Sequence, residues 1–156
     1  MSGAVSDRRP HIVVVGSINM DLVVRCRTLP RPGETLSGSS FAEIPGGKGA
    51  NQAVAAARLG ARVSMIGRVG DDAFGRTLRQ SLAGNGVEVE AVKSTPGISS
   101  GLAVIAVEDS GQNSIIVVPG ANGQLTTGDV QAAADIIRSA DVVLLQFEVP
   151  MSVILE

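Results

Sequence analysis

The chain has almost no aromatic side chains: three Phe, and no Trp or Tyr, in 156 residues. It therefore offers little to stack against nucleic-acid bases. It also lacks a basic block, carrying 13 basic against 15 acidic residues for a net charge of −2, so no electrostatic footprint for nucleic acid is expected. No apolar run approaches the roughly 18 residues of a membrane span. The N-terminal MSGAVSDRRPH has no apolar stretch of signal-peptide type and reads as a flexible leader over residues 1–11. Cys26 is the only cysteine, which excludes an internal disulfide and suits a reducing cytoplasm. His11 is the only histidine, has no metal-ligand spacing, and is expected in solvent beside the leader. No repeat or low-complexity segment is present.

What remains is a globular composition, 44% hydrophobic and 18% charged, long enough to bury a core. IVVVG (Ile12–Gly16) reads as a buried parallel strand closed by Gly. LVVRC (Leu22–Cys26) either extends it or begins another, and TLPRPGETLSG (Thr28–Gly38) is a surface connection. Ala50, Ala53, Val54 and Ala57 then recur with helical spacing up to the stop at Gly60. RVSMIGRVG (Arg62–Gly70) is a strand. Asp71 or Asp72 caps a helix through about Leu82, ended by GNG.

VEVEAV (Val87–Val92) alternates as a strand should. Ser100–Asn122 reads as a hairpin turning near Asp109–Asn113. Thr126–Ala140 is helical, with Thr126 and Asp129 spaced as a capping box. Asp141–Glu148 reads as another buried strand, and Val149–Glu156 as the first turn of a further helix. Strands alternating with helices predict α/β architecture, a doubly wound and mainly parallel sheet. A buried strand near the end of the sequence, followed by apolar residues without an obvious partner, suggests a piece of a larger fold.

Three clusters carry chemistry. IPGGKGAN (Ile44–Asn51) sets glycines around Lys48 at a helix start. Backbone N–H groups there can approach anions or hydroxyls closely. It is not a Walker A motif, because Gly49 follows Lys48, and Gln52 stands where a dinucleotide fingerprint needs glycine. Read alone it is a strand-to-helix turn, but Lys48 and Asn51 share one face of the first helical turn and offer an ammonium group with about three donors and a side-chain amide. Asn19 and Asp21 in SINMD follow the carboxyl end of the first strand, where ligands of open α/β sheets sit. Glu148 ends the last strand. Singly these are a polar turn and a strand exit; together they offer a polyol both donors and acceptors. Asp71, Asp72 and Cys26 are assigned structural roles.

GSINMD, PGE (Pro32–Glu34), GGKGANQAVAAARLGA (Gly46–Ala61), GDDAFG (Gly70–Gly75), GQN (Gly111–Asn113), PGAN (Pro119–Asn122) and QFE (Gln146–Glu148) together resemble the N-terminal half of the carbohydrate-kinase family containing ribokinase, fructokinase and adenosine kinase. GGKGAN beside GSINMD points to the ribokinase branch. The likeness runs from about Ile12 through residue 156. It implies a ribokinase-like fold over 12–156, with a small β-sheet lid built from about 22–44 and 100–118. It also implies that Asn19, Asp21, Gly47, Lys48, Asn51 and Glu148 bind a sugar.

By the same resemblance ATP, Mg2+ and a monovalent cation such as K+ are cofactors, ribose is the acceptor, and the lid supports a homodimer. The family's catalytic aspartate lies in a GAGD motif that this sequence does not contain, and its nucleotide, magnesium and cation segments are absent too. The expectation is a sugar-binding half without phosphotransfer activity of its own. The rival expectations are another sugar or nucleoside kinase of the family, the latter disfavoured by the scarce aromatics, and a non-catalytic sugar-binding or dimerisation module.

Overall fold

The computed structural model describes residues 9–156. Most of the leader therefore lies outside the described residues. Its last residue does not behave as expected. His11 opens strand β1 (His11–Val15) and is only 3% exposed. Its Nε2 lies 2.9 Å from Ser64 Oγ and its Nδ1 3.3 Å from the Ser139 carbonyl. Two hydroxyl-bearing neighbours satisfy a ring that the sequence pattern alone placed in solvent.

β1 is the centre of a parallel sheet. It pairs in parallel with β4 (Arg62–Gly70) and with β9 (Val142–Leu145). β5 (Val87–Glu88) and β6 (Val92–Thr95) both lie along β4 at successive heights, giving the order β5-β4-β1-β9 with β6 beside β4. The single strand expected over Val87–Val92 is thus two short ones. A turn in which Val92 N–H donates to Val89 O separates them.

Alternation along β1 sends side chains to two cores. Val14 joins Val63, Met65 and Val69 of β4 beneath α1 (Lys48–Arg58) and α2 (Ala73–Gly84), where Ala50, Ala53, Leu78 and Leu82 are buried. Small alanines let α1 lie close on the sheet. Val13 and Val15 turn the other way and join Leu125, Ala133, Val149 and Val153. Each fully buried aliphatic side chain of this kind stabilises the fold by about 1.5–3 kcal/mol. Val153, in the short α5 (Met151–Ile154), is therefore partnered after all, while Leu155 stays exposed.

Asp72, not Asp71, caps α2: its Oδ1 accepts the Gly75 N–H at 2.7 Å. The Thr126–Asp129 capping box is present, but the helix expected over 126–140 is two. α3 (Thr127–Ala132) and α4 (Ala134–Arg138) meet at Ala133, whose N–H is shared between the Asp129 and Val130 carbonyls, tightening that turn. The expected buried strand at 141–148 is also corrected. β9 covers only four residues and lies at the sheet edge, leaving Val142, Val143 and Leu145 about half exposed. Its apolar run predicted neighbours on both sides; among the described residues it pairs only with β1.

A second sheet has the order β3-β2-β7-β8. LVVRC belongs to a separate strand, β2 (Asn19–Cys26), which begins three residues earlier than the apolar run and so includes Asn19 and Asp21. β2 pairs antiparallel with β3 (Ser40–Gly46) and parallel with β7 (Gly101–Glu108); β7 and β8 (Asn113–Val118) form the anticipated hairpin. Cys26 is buried against the Val107 carbonyl. No helix among the described residues is long and apolar enough to cross a membrane.

Candidate functional site

The site forms where the two sheets meet. β1 ends at Val15, and Gly16–Ile18 turns the chain into β2. Side chains arriving from beyond β9 fasten this turn: Gln146 Oε1 accepts the Ser17 N–H at 3.0 Å, and the Ser17 hydroxyl donates to Glu148 Oε2 at 2.9 Å. The first turn of α1 is pinned to it as well, Ala50 N–H donating to Ser17 O at 3.0 Å. Gly47 caps α1 with φ +94°, a conformation side-chain-bearing residues avoid. A Cβ there would sit 2.6 Å from the Asn19 backbone nitrogen. The glycine turn therefore lies directly on the start of β2.

Lys48, the first residue of α1, pairs its ammonium with Glu148 Oε1. Glu148 thus bridges Lys48 and Ser17 from opposite carboxylate oxygens. Asp21 is half-buried two residues along β2. Burial pushes its carboxyl above the ordinary value, and the nearby negative charge of Glu148 pushes it further. Asn19 is buried and accepts a 2.7 Å hydrogen bond from Asn122 Nδ2. Ser17, Asn19, Asn122 and Glu148 line one cavity of about 370 Å3, walled on its apolar side by Val117, Pro119 and Val149. A depression of about 410 Å3 against β9 and α3–α5 is larger; it is lined mainly by apolar side chains together with Gln131, Arg138 and Glu156, and holds none of the six residues singled out from the sequence.

Five of the six residues singled out from the sequence are brought together: Asn19, Asp21, Gly47, Lys48 and Glu148. Asn51 lies one turn along α1, exposed, beside a crevice of about 20 Å3 lined by Pro45, Gly46 and Ser81, and its side chain makes no hydrogen bond to the other five. Ser17, Asn122 and Gln146 went unassigned in the sequence. Ser17 and Asn122 lie inside the GSINMD and PGAN stretches and Gln146 inside QFE, so the signal was the stretch, not the residue.

The arrangement offers acceptors at Asp21, Glu148 and the Ser17 oxygen, whose one hydrogen goes to Glu148, and donors at Lys48, which suits an uncharged ligand with several hydroxyl groups. It does not suit a metal or a triphosphate. No three His, Cys, Asp or Glu residues among those described are grouped to hold a metal ion, and the one lysine of the glycine turn is engaged by a carboxylate.

Residues 9–152 match the model of the pfkB family carbohydrate kinases. The ribokinase of Bacillus subtilis is 48% identical over 140 residues, covering 90% of this chain and 47% of that protein. The deoxyribokinase of Salmonella typhi is 39% identical over 143 residues, covering 92% and 47%. Arabidopsis thaliana ribokinase complexed with ribose and ATP superposes with a TM-score of 0.79 at 40% identity, over 94% of this chain and 48% of that one. The chain spans about half the length of the relatives it matches. By sequence and by fold, the chain belongs to the pfkB family of carbohydrate kinases.

Proposed function

We propose that this chain supplies the sugar-binding half of a ribokinase, which transfers the γ-phosphoryl group of ATP to the 5-hydroxyl of D-ribose. Asp21 and Glu148 accept hydrogen bonds from ribose hydroxyls, while Lys48, Asn19, Asn51 and the Gly47 backbone donate. The four-stranded sheet acts as a lid that excludes water from the acceptor, and its exposed apolar residues, such as Phe41 and Ile116, support a homodimer in the cytoplasm. Mg2+ and a monovalent cation belong to the same proposal. When bound with ATP they neutralise charge on the transferred group, and no described residue of this chain is assigned to them.

The observation that carries the proposal is the bridge from Lys48 through Glu148 to Ser17, set beside Asp21 and Asn19 at the carboxyl end of β1. The sequence contains no GAGD motif, so the 156-residue chain is expected to bind the sugar without turning it over. Calorimetric titration with D-ribose, 2-deoxyribose and adenosine, alongside a coupled assay for ADP release, tests this. Ribose binding in preference to the other two, with no ribose-dependent ADP release, is the expected result. Tighter binding of 2-deoxyribose or adenosine would reassign the substrate, and absence of any binding would remove the sugar-site reading.

A further inference from the structure

Asn122 enters the site from outside it. It lies in the 3-10 turn Gly120–Gln124 that follows β8, and is 1% exposed. Its Oδ1 accepts the Ile18 N–H at 2.9 Å, and its Nδ2 donates to the Ile18 carbonyl at 3.1 Å. A backbone N–H can only donate and a carbonyl can only accept, so these two contacts fix which end of the Asn122 amide is oxygen and which is nitrogen. The second Nδ2 hydrogen then points at Asn19, whose oxygen accepts it at 2.7 Å. With its oxygen committed to Asn122, Asn19 keeps its NH2 group for the cavity that it lines.

Space for this pair is provided by Gly101, at the start of β7. A Cβ at that position would fall 2.1 Å from Asn122 Nδ2 and 2.3 Å from Asn19 Oδ1. Neither atom can retreat without giving up its hydrogen bond. The chain Ile18–Asn122–Asn19 therefore carries the directionality of one backbone peptide into the polarity of the binding cavity.

We propose that Asn122 is a positioning residue that fixes the Asn19 amide so that its NH2, and not its oxygen, meets a sugar hydroxyl, with Gly101 as the residue that leaves room for it. The proposal rests on the sugar-binding reading for its ligand, but the orientation of Asn19 belongs to the free protein. Asn19 and Lys48 give hydrogen bonds while Asp21 and Glu148 take them, so a bound hydroxyl between the two pairs can donate and accept at once. Replacing Asn122 by Asp keeps the acceptor for Ile18 N–H and removes the donor, which turns Asn19 around and presents a further acceptor to the ligand beside Asp21 and Glu148.

The test uses the 15N,13C-labelled 156-residue chain without sugar. A through-hydrogen-bond scalar coupling from Asn122 Nδ2 to Asn19 Cγ is expected; the reverse coupling, from Asn19 Nδ2 to Asn122 Cγ, or a freely rotating Asn19 amide, overturns the proposal. Ribose titrations then ask whether Asn122 acts through Asn19. Asn122→Ala should weaken ribose about tenfold in the native background and less than about twofold in an Asn19→Ala background, because one coupled hydrogen bond cannot be lost twice. Equal losses in both backgrounds would make Asn122 merely structural. Asn122→Asp and Gly101→Ala provide the same comparison should Asn122→Ala not fold. If the native chain binds no ribose, the sugar reading falls, and the labelled-amide coupling still decides the role of Asn122.

Discussion

Lys48 and Glu148 stand 100 residues apart in the chain and meet as an ion pair, the glutamate of which lines the cavity. The lysine side chain is 70% exposed and the glutamate 29%, so the pair is wet on one side and contributes little to folding, about 0–1 kcal/mol. Its value lies in where it holds the two groups. Lys48→Ala or Glu148→Gln should leave the thermal midpoint within about 2 °C of the native chain and weaken ribose by about tenfold or more. Differential scanning calorimetry and ribose titration on the same preparations check both halves. A large loss of stability with unchanged affinity would make the pair a structural strut.

Asp21 should trade stability against binding. Its folded carboxyl is raised, chiefly by burial and then by Glu148, so the folded chain holds a proton there more readily than the unfolded one. A raised carboxyl favours the fold at low pH, and that advantage is lost as pH rises through the folded value. Asp21→Asn should therefore raise the thermal midpoint at pH 7 by about 1 °C, a small figure because the group is partly screened by solvent, and have no such effect near pH 3. Ribose affinity should fall at the same time. A variant less stable than the native chain at pH 7 would contradict the sign.

Asp129 behaves in the opposite sense. Burial opposes its ionisation, yet Arg68, the Thr126 backbone and side chain, and Lys93 hold its carboxyl far below the ordinary value. Arg68 grips it with two hydrogen bonds of 2.8 and 3.0 Å, and Lys93 adds a 3.0 Å ion pair. A lowered carboxyl contributes stability above its unfolded value and loses it as pH falls through the folded one. Asp129→Asn should cost about 2–4 kcal/mol at pH 7, because it also leaves Arg68 without its charge partner. The gap from the native chain should narrow below about pH 4. Urea titrations at pH 7 and pH 3 measure it.

Gly47→Ala should damage both fold and site. The substitution puts a side chain at φ +94° and a Cβ against the first peptide of β2. A loss of about 2 kcal/mol or more and of measurable ribose binding is expected, seen by urea titration and calorimetry. Gly84→Ala, with open space around it, serves as the control and should be tolerated.

How much of this was legible in the sequence follows from the range of the interactions involved. The Thr126–Asp129 capping box and the Asp72 cap are satisfied within three residues, and the β7–β8 hairpin closes over a short turn, so local pattern sufficed. Glycines around Lys48 announced a close backbone approach, and the structure supplies its object, the start of β2. His11 was misjudged because its partners, Ser64 and Ser139, lie 53 and 128 residues away, where no periodicity reaches. Asn122 escaped for the same reason: its bond to Asn19 spans 103 positions. β9 misled in another way. A strand's apolar composition records the environment it is suited to, whatever neighbours the described residues provide.

Asn19 and Asp21 open a strand whose remaining residues run on into the second sheet, paired to β7 from Gly101 to Glu108. If the second sheet is the lid proposed above, holding the ligand and moving the cover are tasks of one continuous ribbon. Any tilt of that cover would then reach residues 19 and 21 without a relay in between, and a substitution at its far tip is expected to surface as an altered sugar residence time.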